Sequence, residues 1–405
     1  MSTPFDGLEN QSSEERAARI ADALPRQIAL AQSLSGYAEL AAFEAASVTS
    51  REQLARLPVL RKSDLPSVQK SDPPFGGLTA RPAAEFDHVF QSPGPINEPG
   101  MRGGDWWRFG RFLHAAGIGP GDIVQNCFGY HMTPAGLMFE NAAEAVGAAV
   151  FPAGTGQTEV QANAAAALGV TAYAGTPDYL KILLDKADEL GLALKIGKAA
   201  VSGGALFPSM RDEYAARGIA CLQCYGTAEL GLIAYETPAV EGMIVDEGVV
   251  VEIVTPGTGD PVSEGEVGEV VVTSFNPDYP LIRLATGDMS AVLPGESPCG
   301  RTNMRIKGWM GRADQTTKIK GMFVRPEQVA ALVARHPEVD RARVVVGRDG
   351  ARDTMKVRVE AKAADADALA ASVRAVLKLS GVVEVVAPGG LPRDGIVIED
   401  TRTYD

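Results

Sequence analysis

Residues 308–326 read GWMGRADQTTKIKGMFVRP, and ionic side chains crowd into them: Arg312, Asp314, Lys318 and Lys320 within nine positions. Gly308, Gly311 and Gly321 punctuate the stretch, and glycines at this density mark sharp turns or close approach of the backbone to something else. The alternation Thr317-Lys318-Ile319-Lys320 reads as a short strand, and Pro326-Glu327 opens an amphipathic helix with Val329, Leu332 and Val333 on one face. Taken alone, this is also what a charged surface hairpin between two elements looks like. A second candidate is Cys221-Leu222-Gln223-Cys224, a spacing found in half a zinc site or in a redox pair. Neither a second such pair nor a nearby histidine pair accompanies it, because the four histidines (His88, His114, His131 and His336) are scattered. Ile219, Cys221 and Cys224 therefore read as buried strand residues rather than ligands.

The elements that must position such groups follow from periodicity. Residues 14–45 carry a helical pattern with Ala18, Ile20, Leu24, Ile28 and Leu30, and residues 56–66 (RLPVLRKSDLP) read as a linker with a helix start at Ser63. A strand at 88–91 leads into SPGPINEPG, a helix is expected from Asp105 to Ala116 with Gly117 as its cap, and a strand covers 123–128. A further helix begins near Ala135. Strands at 148–151, 172–174 and 198–201 then alternate with helices at 159–168 and 178–190. This alternation predicts a mainly parallel sheet with helices on both faces, and ligands in such folds bind at the carboxyl ends of the strands. From Met243 the pattern becomes short strands with turns, at 248–254 and 268–273, which predicts an antiparallel, barrel-like subdomain. The last ninety or so residues read as a two-layer α+β unit: helices at 326–335 and 365–379, strands at 342–346, 355–360 and 382–386.

Composition narrows the class. The chain of 405 residues is 45% hydrophobic and 22% charged with a net charge of −13, an ordinary globular balance without the basic footprint of a nucleic-acid or anionic-membrane partner. The N-terminus is acidic and has no apolar core, no run of membrane-spanning length is present, and four cysteines in a chain this long make no disulfide framework. A reduced, cytoplasmic setting, with no nucleic-acid or membrane partner, is the expectation.

The stretch GRADQTTKIKGMFVRPEQV resembles the hinge motif of the adenylate-forming, AMP-binding enzymes, nearest their phenylacetate–CoA ligase branch, and three further motifs support the resemblance in the expected order. The resemblance implies an α/β fold: a large N-terminal domain (1–313) of mixed sheets flanked by helices plus a β-barrel-like subdomain, and a small mobile α+β domain (314–405) that turns about Asp314. It implies ATP, Mg2+ and coenzyme A as cofactors. Ser92 and Gly94 fall where the family places its phosphate loop, although prolines here replace residues that would supply N–H donors. Cys224-Tyr225-Gly226-Thr227-Ala228-Glu229 resembles the motif in which Tyr225 stacks on adenine, Thr227 touches the α-phosphate and Glu229 holds magnesium, with Gly226, Gly203 and Gly204 beside the nucleotide. Asp288, in Ala285-Thr286-Gly287-Asp288, matches the aspartate that accepts from both ribose hydroxyls, and Arg312 matches the arginine on the ribose. Phe128, Tyr130, His131, Ala135 and Gly154 are the implied acyl pocket, suited to a flat aromatic acid, and Lys320, Gly321 and Arg325 are the implied coenzyme A contacts.

One position departs from the pattern. Near the end, Leu391-Pro392-Arg393-Asp394-Gly395-Ile396 matches the family's loop with isoleucine where the catalytic lysine stands. That lysine bridges substrate carboxylate and ATP, and Ile396 carries no charge with which to do so; Arg393 is a planar guanidinium, a poor replacement for a point charge. The sequence thus predicts an AMP-forming aryl acid–CoA ligase, monomeric or homodimeric, whose adenylation step is weakened by Ile396. Two alternatives stay open: a nucleotide-binding homologue without turnover, and an adenylating enzyme that passes its acyl group to an acceptor other than coenzyme A.

Overall fold

The computed structural model describes residues 3–204, 206–315, 317–319, 322–349, 352–392 and 396–402, excluding the side chains of Asp314, Lys318, Met322, Phe323, Glu327, Asp349 and Arg352. Lys320, Gly321 and Arg393 lie outside the described residues. The chain divides into two compact units, one of Met1–Thr286 with Ser290–Trp309 and the other of Gly287–Met289 with Met310–Asp405.

In the first unit the strands are β1 Leu60–Arg61, β2 His88–Ser92, β3 Ile96–Gly100, β4 Ile123–Asn126, β5 Ala149–Phe151, β6 Ala172–Gly175, β7 Lys198–Val201, β8 Ala220–Thr227, β9 Gly231–Tyr235, β10 Met243–Val245, β11 Val249–Val254, β12 Val267–Ser274, β13 Leu284–Leu293 and β14 Arg305–Ile306. Strands β5-β4-β6-β7-β8 pair in parallel. At β8 the direction reverses and the sheet continues as β9-β10-β14-β13-β12-β11, so the antiparallel strands are hydrogen-bonded into one twelve-stranded sheet that also takes in β1. Helices Ala135–Ala145, Thr158–Leu168, Pro177–Glu189 and Pro208–Ala216 supply the crossovers. Alternate residues of the parallel strands face two separate cores: Ala172, Ala174 and Ala200 meet Phe112 and Phe139 on one side, while Tyr173, Ala199 and Val201 meet Leu180, Leu183 and Tyr214 on the other. This is the two-faced burial expected of a parallel sheet.

Four expectations for this unit are corrected. The helix foreseen from Asp105 covers only Gly110–Ala115. Asp105 (φ 49°) and Arg108 (φ 67°) adopt left-handed backbone conformations, and Arg108 is drawn away to Asp246 and to the carbonyls of Leu230 and Leu232. Tertiary hydrogen bonds thus override local helical periodicity. Residues 56–66 are not only a linker, since β1 pairs in parallel with β13 through Leu60–Leu284 and Arg61–Ala285. SPGPINEPG is not an open loop but the turn and second strand of the β2–β3 hairpin, in register from His88–Gly100 to Ser92–Ile96. The long N-terminal helix, Ser13–Gln32, is closed at its start by a capping box from Ser12 and Glu15 and is shorter than the 14–45 foreseen.

The second unit is built on a sheet in the order β19-β18-β17-β20, with β17 Val339–Asp349, β18 Arg352–Ala361, β19 Val382–Val386 and β20 Ile398–Asp400; a separate hairpin pairs β15 Thr317–Ile319 with β16 Met322–Val324. Helices Pro326–Ala334 and Ala366–Leu377 bury Val329, Leu332, Leu369, Val373 and Leu377 against Val344, Val346, Val357 and Val359. Period-two valines on the strands against helical-period leucines explain why this unit was readable as an α+β sandwich. Among the described residues no helix is long and apolar enough to cross a membrane.

Candidate active site

Strand order fixes where a ligand can enter the parallel part of the sheet. β4 is followed by β5 on one side, and the chain then returns to place β6 on the other. With right-handed crossovers the helices after β4 and β6 lie on opposite faces, which opens a crevice at the carboxyl ends of these two neighbours. Gly203, which follows β7 at φ 70°, faces that opening: a Cβ there would sit 3.7 Å from Phe128 after β4 and 3.7 Å from Thr176 after β6. Gly154, after β5, donates its N–H to the Asn126 carbonyl at the end of β4 (2.9 Å). Four strand ends therefore converge on Phe128, Gly154, Thr176 and Gly203.

The remaining acyl-pocket candidates lie on the loop after β4. The Phe128 ring is buried and stacks on Phe139 with centroids 4.4 Å apart. The Tyr130 hydroxyl accepts from Asn126 Nδ2 (2.8 Å), and burial raises its pKa further above the ordinary phenol range. Its ring presses on Gly136, where a Cβ would come 2.8 Å from Tyr130 Cγ. His131 and Gly204 are exposed and Ala135 is half-buried at the helix start. The Met132 carbonyl accepts from the Gln91 N–H (2.8 Å), which ties this loop to the β2–β3 hairpin.

The next strand, β8, carries Tyr225, Gly226 and Thr227, with Glu229 in the turn to β9. Tyr225 is buried and its hydroxyl bonds Thr286 Oγ1 (3.1 Å), while Thr227 Oγ1 accepts from the Leu230 N–H (3.2 Å) and closes the turn. Gly226 is required by close approach, since a Cβ would lie 2.6 Å from the Gly231 carbonyl. Glu229 is wholly buried, and Lys62 Nζ bridges its carboxylate at 2.9 Å from Oε1 and 3.1 Å from Oε2. Ser92, a phosphate-contact candidate, donates its hydroxyl instead to Glu98 Oε1, and Gly94 (φ 155°) sits in the hairpin turn with Ile96 against it. Glu98 is itself buried. Burial pushes its carboxyl up to about 7 against the lowering hydrogen bond from Ser92, with Glu229 adding to the rise and Lys62 opposing it.

Lys62, within RLPVLRKSDLP, and Glu98, within SPGPINEPG, carry no chemical signature in the sequence. Their neighbours in sequence gave no sign of a shared site: only the folded chain brings Lys62 to a carboxylate 167 positions away. A divalent cation fits what is here. Glu229 and Glu98 are hard oxygen donors, Glu98 Oε2 is buried without a hydrogen-bond partner, and magnesium is commonly held by one or two carboxylates together with substrate phosphates. The cysteines offer no comparable chemistry. Cys221, pushed up to about 12, and Cys224, raised further, are buried thiols whose shifts come from burial. Among the described residues no cluster of three histidine, cysteine or acidic side chains could hold a metal.

Within the second unit, Asp288 and Arg312 meet as an ion pair (3.3 Å) across an isolated bridge between their main chains. The Met289 N–H donates to Gly311 and the Met310 N–H to Met289, both at 2.8 Å. The backbone of Asp314 lies in the 3-10 turn Ala313–Gln315, and the Gln315 side chain accepts from the Val397 N–H (2.6 Å). Arg325 precedes helix Pro326–Ala334, its N–H held by Gln328 Oε1 (2.9 Å). Ile396 is 40% exposed. Earlier in the chain, residues 389–392 are held by their main chain: Gly389 and Leu391 donate to the Glu360 carboxylate, and the Pro392 carbonyl accepts from Arg341.

The family described as AMP-binding enzyme matches residues 130–276. The chain is 31% identical over 326 residues to the phenylacetate-coenzyme A ligase of Thermus thermophilus, an alignment covering 76% of this chain and 72% of that protein. It is 30% identical over 331 residues to the phenylacetate-coenzyme A ligase of Aromatoleum evansii, covering 77% and 73%. Among solved structures it resembles 2-hydroxyisobutyryl-CoA ligase in the postadenylation state in complex with 2-HIB-AMP, with a TM-score of 0.82 and 27% identity over 97% of this chain and 91% of that one.

Proposed function

Because this chain belongs to the adenylate-forming, AMP-binding enzymes, in their phenylacetate–CoA ligase-like branch, and is an acid–CoA ligase, we propose that it activates an aromatic carboxylic acid of the phenylacetate, benzoate or indole-acid type. In the proposed first step a carboxylate oxygen attacks the α-phosphorus of ATP, forming acyl-AMP and expelling pyrophosphate. In the second, the thiolate of coenzyme A attacks the acyl carbon and AMP leaves. The observation that carries this reading is the buried Glu229 carboxylate in the turn after β8, two positions past Thr227 and four past Tyr225. β8 neighbours β7, whose own end contributes Gly203 to the β4/β6 crevice.

In this reading Tyr225 offers its ring face to adenine, Thr227 its hydroxyl to the α-phosphate, and Asp288 and Arg312 recognise the ribose. A bound divalent cation, held by Glu229, would neutralise phosphate charge and reduce the repulsion between two reacting anions. Residues of the β4/β6 crevice hold the acid, so that orientation supplies part of the rate. Asp314 is the proposed pivot between the two steps, with Lys320, Gly321 and Arg325 serving coenzyme A. A cytoplasmic location fits this substrate chemistry.

A second reading, binding of nucleotide with little turnover, has specific support: Ile396 offers no charge, and the Ser92 hydroxyl is engaged by Glu98. Pyrophosphate release and acyl-CoA formation, measured on this chain and on Ile396→Lys with aryl acids and short 2-hydroxy acids, separates the two. Turnover with an aryl acid that rises sharply in Ile396→Lys supports the ligase reading. Nucleotide binding without pyrophosphate release in either chain would overturn it in favour of the second, and a preference for the 2-hydroxy acids would overturn the aromatic assignment.

A further inference from the structure

The carboxylate assigned above to a divalent cation already holds a cation of the chain's own. Lys62 Nζ touches both oxygens of Glu229, whose side chain is 0% exposed, while the lysine remains 27% exposed. This is no wandering surface side chain: Lys62 follows β1, which is pinned in parallel register to β13 at Leu284 and Ala285, just before the Thr286 that bonds Tyr225. Glu98 stands close enough to interact with both members of the pair, one oxygen taken by Ser92 and the other without a hydrogen-bond partner. The buried phenol of Tyr279 also feels both carboxylates. Glu229 Oε1 accepts no directed hydrogen bond and is held by charge alone.

We propose that Lys62 is a positioning residue and an internal competitor for the divalent cation: its ammonium holds the Glu229 carboxylate in the nucleotide-free protein, and a metal ion binds there only by displacing it. The physical basis is charge. A dication and an ammonium cannot share one desolvated carboxylate without strong mutual repulsion, whereas the carboxylate cannot stay buried and ionised with neither. The lysine therefore holds the carboxylate in place before nucleotide arrives, and lowers metal affinity until phosphates arrive with the metal. This inference rests on the reading of Glu229 as the cation ligand.

The test is Mn2+ binding to the full, nucleotide-free chain, followed by electron paramagnetic resonance. Lys62→Met is expected to bind Mn2+ about tenfold more tightly than the wild type, the size of a typical coupling between linked sites, and Lys62→Arg no more tightly than wild type. Equal affinities in wild type and Lys62→Met would overturn the proposal. Glu229→Gln is expected to lose the site; if it binds Mn2+ as wild type does, the assignment of Glu229 fails and the competitor role falls with it. A measurement on the otherwise unaltered chain guards against misfolding of Lys62→Met. After reductive 13C-methylation, the lysine signal missing from Lys62→Arg is expected to shift as Mg2+ is titrated in, and a signal that stays fixed at saturation would refute the displacement.

Discussion

In the proposed reaction, Ile396 is the residue on which the first step turns. Main-chain bonds to Glu360 and the Arg341 contact hold residues 389–392, and the Val397 N–H is held by Gln315. Substitutions at exposed positions usually change stability by no more than about 0.5 kcal/mol. Ile396→Lys is therefore expected to fold like the parent while restoring a charge toward the developing negative charge of the reaction. Groups of this kind contribute roughly 100- to 1,000-fold in rate. Steady-state pyrophosphate release should rise by that order in Ile396→Lys, and an unchanged rate would mean that another cation already fills the role. The contrast between Ile396 and Lys62 also shows what sequence conveys at this scale. As proposed site residues, Tyr225, Thr227 and Glu229 were legible because five consecutive positions carry them, and Ile396 because a short loop frames it. Lys62 and Glu98 were not, because their significance depends on a carboxylate reached only through the β1–β13 pairing and the β2–β3 hairpin.

At the scale of elements, the misread helix at Asp105 is the most instructive difference. Trp106, Trp107 and Arg108 fit a helical pattern, yet Arg108 and Arg111 converge on Asp246, and Asp105 turns back to accept from the Gly110 N–H (2.8 Å). Apart from the crossover helix Pro208–Ala216, which was not foreseen, the strands and crossovers between Ile123 and Thr227 were foreseen closely because local pattern and tertiary burial agree there; at Asp105 they conflict, and buried ionic bonds prevail. That conflict has a pH signature. Burial pushes the Asp105 carboxyl up to about 7, opposed by the Gly110 N–H and reinforced by Asp246. The folded protein then binds a proton that the unfolded chain releases near pH 4, so this group's contribution to stability is present at low pH and lost as pH rises from about 4 to about 7. Asp105→Asn keeps the acceptor without the charge. It is expected to be more stable than the parent at pH 8 by on the order of 2 kcal/mol, with the difference shrinking toward pH 5; urea titrations at both values read it directly. The β8–β9 turn gives a steric counterpart. Gly231 sits at φ 71° with a Cβ position only 2.5 Å from the Trp107 carbonyl, so Gly231→Ala should cost about 1–3 kcal/mol and lower the melting temperature.

For the whole molecule, the question is where a pivot can lie. Residues 287–289 belong to β13, yet they group with the second compact unit. They are tied to the segment entering that unit by the Met289–Gly311 and Met310–Met289 main-chain bonds and by the Asp288–Arg312 pair. A rotation beginning at residue 310 would have to break these bonds or pull Gly287–Met289 out of the strand. A rotation beginning after Arg312 breaks none of them, and the first turn past that point is Ala313–Gln315. The same bonds that fix the two ribose candidates therefore favour Asp314 as the proposed pivot. Proline at 314 would lock its own φ and disfavour the helical conformation of Ala313. In rapid-quench measurements on Asp314→Pro, made in the Ile396→Lys background so that the first step is fast, acyl-AMP should form within about twofold of the parent rate, while transfer to coenzyme A slows by tenfold or more, the kind of loss expected when a conformational step gates one half-reaction. Equal slowing of both steps would place the defect in folding or nucleotide binding, and no slowing of either would move the pivot away from Asp314.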